Sequence, residues 1–469
     1  MVWGKKLFVK RPVLLSVVSF AAITGITLFK AALELEDAEQ AYYTQWLRWG
    51  YDDQPPLYTW LQYGVNQVFG SHKVSFSLLR GAIFASILLL MWRFAHKMIK
   101  DTNKVELAIL GLVLLPVFID FTFRRLSHTS LLCAAVLASY LILERLMHRR
   151  TWGNYALFGL VVGIGLLSKY NYAFFLAALG LTMFFDAPVQ KVVCHKKIFL
   201  TVLLVVAVSF PHFHWLLGPE GYLTELQQSI AEKTENVSGN GLYVIGPLFS
   251  LLLNLLRLIL PLAVVLGLGT LLRKLRWQTL KMDWFVKMAI AQMVVLVLFF
   301  VVLNVQKVEE RWLMPLVLPF VIVLVRTIEF KSVSKWSTYG FVLFLTVIGF
   351  QVVRTPAEKV LGIPSSVHFD FGPIYNTLRK DYGGKDWMLP DVTYGGNIRL
   401  LDPEKEIVSK DDFSYPKSKF LNFKGVEVVL GKDLVKERKV LDSISDFGKE
   451  RSALFIVERK GNGHARTKK

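Results

Sequence analysis

Long apolar blocks, each separated from the next by a short polar loop, constrain this chain more than any other feature. An α-helix rises about 1.5 Å per residue and hydrocarbon is roughly 30 Å thick, so a block of about 20 apolar residues crosses once. Such blocks lie near residues 12–33, 74–98, 105–121, 129–146, 155–167, 170–185, 198–217, 244–272, 284–303, 312–325 and 336–352. They predict a polytopic, all-α membrane core of about eleven transmembrane helices. The first block is too long for a removable signal peptide and lacks a following small-residue cleavage site, so it reads as a retained helix.

The net charge of +19 would suit a nucleic-acid binder if it were gathered on one domain. It is instead spread over short loops, around Lys5 to Arg11, Lys97, Arg149, Lys196, Arg276 and Lys331. By the positive-inside rule those loops are cytoplasmic, the N-terminus with them. The segments after residue 33, from 218 to 241 and after 352 then face outward. Arg124, Arg125, Lys169, Lys307 and Arg311 fall at outer span ends, where the rule does not put cations, and are better read as binding groups. Cys133 and Cys194 have no metal-type spacing and predict neither a disulfide framework nor a zinc site.

The first outer loop, 34–73, opens ELEDAEQAYYTQWLRWGYDDQPPLYTW, carboxylates within a belt of Tyr and Trp. Tyr42, Trp46 and Trp49 keep helical spacing and predict a helix lying in the interface. After Pro55-Pro56, the set Leu57, Trp60, Leu61, Gly64, Val65 and Val68 predicts a second. From residue 353 to 469 the composition becomes that of a small extracytoplasmic α/β domain with a basic tail, following the core of 1–352. No internal repeat is evident, which counts against a transporter built from inverted halves.

Glu36 and Asp37 are adjacent, so on a helix they diverge by about 100 degrees and cannot serve one atom together. One can act as a general base while the other holds a cation; the bland alternative is a solvated first turn. Among Asp52, Asp53 and Gln54, N-capping of the following helix accounts for one acid. Arg124 and Arg125 suit a phosphate, with snorkelling to headgroups as the alternative. Lys169, at the joint between two apolar half-runs, needs an anion or water. His212 and His214 lack a third ligand in sequence, so interfacial hydrogen bonding is preferred to a metal. In KVEERWLMP a Glu310–Arg311 pair is the structural reading. Asn236-Val237-Ser238 fits a glycosylation sequon too short to carry weight.

Five segments occur in order: EDAEQ, WGYDDQPPL, GLLSKYN, FPHFHWL and EERWLMP. As a set, across residues 33–319, they resemble the GT-C class of polytopic glycosyltransferases, the protein-mannosyltransferase and aminoarabinose-transferase superfamily, and most closely its bacterial family 39 type. The resemblance implies a polyprenyl-phosphate-linked sugar donor and a base at the first acid of a DE pair. That position is Glu36 here, with Asp37 second, so the acids stand in reversed order and either remains open as the base.

The resemblance further implies an inverting transferase whose acceptor is an extracytoplasmic envelope glycolipid of lipid A or lipopolysaccharide type. A protein acceptor is one alternative, and a non-catalytic lipid-linked-sugar transporter or scaffold is another. Lys169, Arg124, Arg125, Arg311, Lys307 and His212 are the expected donor-phosphate ligands; Asp53, Gln54 and Tyr170 are expected to touch substrate. No cofactor is required, no metal ligand is assigned, and the use of a divalent cation stays open. The expected location is the bacterial inner membrane, with the C-terminal domain periplasmic.

Overall fold

The computed structural model describes residues 3–219, 222–234, 245–431, 440–447 and 452–460. The sequon at Asn236 and the basic tail after residue 460 lie outside the described residues.

A backbone in hydrocarbon has no water to bond, so each apolar block closes its hydrogen bonds internally as helix. Helix α1 (Trp3–Ile26) is followed by two outer-loop helices, α2 (Leu35–Tyr43) and α3 (Leu57–Phe69), and by α4 (Lys73–Met98). Then come α5 (Thr102–Leu110), α6 (Pro116–Arg124), α7 (His128–His148), α8 (Trp152–Ser168), α9 (Tyr172–Thr182), α10 (Ala187–Val193) and α11 (Ile198–Leu216). The helical part ends with α12 (Tyr222–Thr234), α13 (Ile245–Leu271), α14 (Trp284–Val302), α15 (Glu310–Val317), α16 (Phe320–Thr327) and α17 (Val333–Val360).

Among the described residues seven helices are long and apolar enough to cross a membrane, or nine if two bent pairs each count as one. The sequence predicts about eleven, and proline explains much of the difference. The 105–121 block breaks before Pro116, and its halves meet at 73°. The 312–325 block is divided at Pro319 into α15 and α16, of 8 residues each. Each is then about 12 Å long, too short to cross alone.

Ion pairs pin both ends of the bundle. At one end Arg11 reaches Glu106 at 3.5 Å and the Ser337 hydroxyl at 3.2 Å, joining α1, α5 and α17. There too a short antiparallel ladder pairs β1 (Leu275–Trp277) with β2 (Ile328–Phe330). The opposite end carries the outer loop and the C-terminal domain.

That domain contains α18 (Gly372–Tyr382), β3 (Asp386–Leu389), α19 (Val392–Leu401), β4 (Ile407–Ser409), α20 (Lys417–Leu421), β5 (Lys424–Leu430), β6 (Val440–Phe447) and β7 (Ser452–Lys460). Its sheet runs β4-β3-β5-β7-β6, with β3 parallel to β4 and β5 and the β5–β7 and β7–β6 pairs antiparallel. The core of this mixed sheet is not its own. Trp387, Leu389, Ile398, Val426 and Ile456 share one buried cluster with Tyr42, Tyr43 and Tyr51 of the first outer loop.

Two expectations for that loop are corrected. Helix α2 ends at Tyr43, so Trp46 and Trp49 lie in the turn beyond it, and the tyrosines face the sheet domain. The Tyr42 hydroxyl donates to Asp412 at 3.1 Å and accepts from the Ser409 amide at 2.9 Å, a polar pairing that a lipid interface would not supply. Helix α3 begins where the pattern places it, but no acid caps it. Pro56 is its N-cap, with no side-chain cap bond, while Asp52 sits in a turn at φ 39.

Candidate active site

Glu36 and Asp37 both belong to the first turn of α2 and, as their adjacency requires, face different partners. Asp37 is 2% exposed and ion-paired with Arg80 of α4, which is equally buried. Glu36 remains partly open. One of its carboxylate oxygens accepts from the Ser127 amide at 2.6 Å and the Ser127 hydroxyl at 2.7 Å, and the other stands 3.7 Å from the Arg311 guanidinium. Ser127 is the N-cap of α7, so Glu36 sits at a helix N-terminus, where the unpaired amides favour an anion.

The same turn of chain holds the next cation. Thr129, two residues on, accepts from the Lys169 ammonium at 2.8 Å. Lys169 lies in the turn between α8 and α9, and burial pushes it down to about 8. Glu36 pulls against that fall and Arg311 adds to it, so the three charges form one field. Arg311 is also ion-paired with Glu309; burial opposes its charge, but Glu309 and Glu36 outweigh it and hold the guanidinium above its ordinary value. The expected Glu310–Arg311 pair is therefore replaced: Glu310 turns instead to Arg257 at 3.7 Å.

Arg124, expected among the phosphate ligands, is 2% exposed and held between Glu34 at 3.3 Å and Glu358 at 3.4 Å. With Lys30 on Glu34 at 3.2 Å and the half-exposed Arg354 bridging Glu358 and Asp120, it forms a charge ladder at the entrance to α2, buried at the Glu34 end. Burial alone would raise Glu34, but Lys30 and Arg124 hold its carboxyl below the ordinary range. Arg125 lies half-buried with its guanidinium 5.0 Å from the Phe121 ring, and Lys307 is exposed.

His212 has a partner on each ring nitrogen: Nδ1 donates to the Trp49 carbonyl at 2.9 Å, and Nε2 accepts from the Tyr170 hydroxyl at 3.0 Å. It thereby ties α11 to the outer loop and to the turn carrying Lys169. Gln54 donates to Asp53 at 3.1 Å, and Asp53 is close enough to act electrostatically on Lys169. The structure thus gathers Glu36, Lys169 and Arg311 at the center, places Asp53 and Tyr170 beside them, and assigns Asp37 and Arg124 to buried ion pairs.

Arg80, Ser127 and Thr129 escaped the sequence reading. Arg80 had a signal: an arginine inside an apolar run must face protein or water and needs a partner. The two hydroxyls had none. A cavity of about 530 Å³ opens elsewhere, lined by apolar side chains that include Leu262, Leu266, Trp277 and Leu324, and touches none of these charges.

The family described as dolichyl-phosphate-mannose-protein mannosyltransferase matches residues 53–215. Lipopolysaccharide core galacturonosyltransferase RgtB of Rhizobium johnstonii is 24% identical over 418 residues, covering 84% of this chain and 81% of its own. RgtA of the same organism is 25% identical over 400 residues, with coverage of 81% and 78%. ArnT of Cupriavidus metallidurans, solved with undecaprenyl phosphate bound, matches at a TM-score of 0.61 over 95% of this chain and 97% of its own, at 12% identity. This is the GT-C glycosyltransferase fold. The chain thus shares the fold of ArnT along almost its whole length and is similar in sequence to two lipopolysaccharide core galacturonosyltransferases.

Proposed function

We propose that the chain transfers a sugar from a polyprenyl-phosphate donor to an extracytoplasmic acceptor, an envelope glycolipid of lipopolysaccharide type, with inversion at the anomeric carbon. Glu36 takes the proton of the acceptor hydroxyl. The acceptor oxygen bonds to the anomeric carbon as the carbon–oxygen bond to phosphate breaks on the opposite face, and polyprenyl phosphate leaves. Lys169 and Arg311 offset the charge that develops on that phosphate, and Asp53 and Tyr170 orient the sugar.

The observation that carries this reading is the meeting of one partly open carboxylate, Glu36, with Arg311 at 3.7 Å and with the charge of Lys169. Asp37, sealed against Arg80, is the weaker base. A donor lipid phosphate and the glycolipid acceptor are further supported by what the names of ArnT and RgtB say of those proteins. The family matched over residues 53–215 is named for a protein acceptor, which keeps protein glycosylation as a second reading.

Purified protein incubated with a radiolabelled polyprenyl-phosphate sugar and lipopolysaccharide core acceptor tests the proposal. Transfer that disappears in Glu36→Gln supports it, and full turnover in that variant sinks the base assignment. Label arriving on protein rather than lipid would favour the second reading.

A further inference from the structure

The base-bearing helix α2 has nine residues, too few to hold its own direction in water, so something must orient it. Its membrane-side attachment is the Asp37–Arg80 pair and the Glu36–Ser127 bonds. Its other flank lies on α19 of the C-terminal domain. Asn397 of α19 works like a neighbouring strand: its Oδ1 accepts from the Leu33 amide at 2.8 Å, and its Nδ2 donates to the Leu33 carbonyl at 3.2 Å. Leu33 immediately precedes Glu34, the N-cap of α2.

One turn along, the two helices touch backbone to backbone. A methyl group on Gly396 would stand 1.8 Å from the Ala38 carbonyl oxygen, and one on Gly395 would stand 2.7 Å from the Tyr42 ring. Beyond the helix, Gln45 and Ile407 exchange two hydrogen bonds of 3.0 Å, and the Tyr42 hydroxyl is fixed by Asp412 and Ser409. The flank is therefore attached along its whole length, from Leu33 to Gln45.

We infer that the C-terminal domain acts as a clamp that sets the position of the catalytic carboxylate, with Gly396 and Asn397 as positioning residues. The inference rests on Glu36 being the base. A misplacement of about 1 Å at a reacting group costs on the order of 100-fold in rate, which is the scale on which a shifted α2 would be felt. Because α19 touches helix α2 rather than Lys169 or Arg311, the clamp acts on turnover and leaves donor affinity in place.

Asn397→Ala and Gly396→Ala, compared with Val457→Ala in β7, provide the test. Val457 is buried in the same domain beside Val429 and Phe455, in a cluster apart from the one that holds Tyr42 and Tyr43, and its truncation lowers stability there. The expected result is faster amide hydrogen exchange across residues 34–43 in the first two variants alone. In the same two variants kcat falls by about 10-fold to 100-fold while the donor KM stays within about threefold.

Unchanged exchange in α2, or accelerated exchange with wild-type kcat, overturns the clamp; so does an equal kcat loss in Val457→Ala. Should Gly396→Ala fail to fold, Asn397→Ala, which adds no bulk, carries the test alone. Failure of the underlying functional reading looks different: wild-type protein then releases no polyprenyl phosphate, and the exchange experiment still reports on the clamp.

Discussion

At the scale of single residues, adjacent acids on one helix have been given different surroundings. Asp37 meets Arg80 where both are buried, and removing one charge of such a pair leaves the other uncompensated, at a cost of about 3–5 kcal/mol. Asp37→Asn is accordingly expected to lower the melting temperature in detergent sharply. Glu36→Gln is expected to leave that temperature nearly unchanged and to cut kcat by roughly 100-fold or more. A thermal scan beside an initial-rate assay separates the two residues; the reverse pattern would exchange their roles.

Lysine titration gives a second residue-scale prediction. Lys169 falls from an ordinary 10.5 to about 8, so above that value the free protein loses the ammonium proposed to meet donor phosphate. Expected kcat/KM declines about tenfold per pH unit beyond the break, and Lys169→Arg pushes the decline to higher pH. Stability runs the other way. Lys30 and Lys169 both titrate near 8 when folded and near 10.5 when unfolded, so in that window the unfolded chain binds more protons and stability rises with pH. Melting temperature climbing between pH 8 and 9 while kcat/KM falls would be the joint signature.

Among the elements, α2 and the turn after it are where membrane core and sheet domain are joined. Arg48 closes that joint: its guanidinium stacks 3.8 Å from the Trp46 ring, reaches Asp412 at 3.6 Å and lies 5.4 Å from the Tyr415 ring. Tyr42→Phe removes the hydroxyl between Asp412 and the Ser409 amide and leaves buried groups short of a partner, costing about 1–3 kcal/mol. Faster limited proteolysis next to Arg48, with the transmembrane helices still protected, is the expected readout. Protection equal to wild type would mean that the joint does not depend on that hydroxyl.

In the whole molecule, the sheet domain and the first outer loop form one folding unit. Deleting everything after Val360 would uncover Tyr42, Tyr43 and Tyr51, each carrying roughly 150–250 Å² of ring surface. The truncated chain is expected to aggregate or lose its loop to protease, seen as loss of the monodisperse peak on gel filtration. A domain that served only to recognise acceptor would detach without that effect.

Helical blocks, basic loops and the out-of-place charges of Lys169 and Arg311 could be read from the residues, because hydrophobic length and misplaced charge are local properties; which of the candidate acids and cations meet could not. The expected phosphate role of Arg124 could not be tested that way. Its neighbours Glu34 and Glu358 lie far apart in sequence, and the ladder they build is invisible until the chain is folded. The same limit hid Ser127 and Thr129, whose hydroxyls look like any others.

Sequence by itself determined that this chain lives in a membrane and which cations stand out of place there, since lipid imposes the same demand on every stretch of backbone. Only the tertiary structure decided which acid is sealed and which is open, because that depends on Arg80 meeting Asp37 across 43 positions of chain.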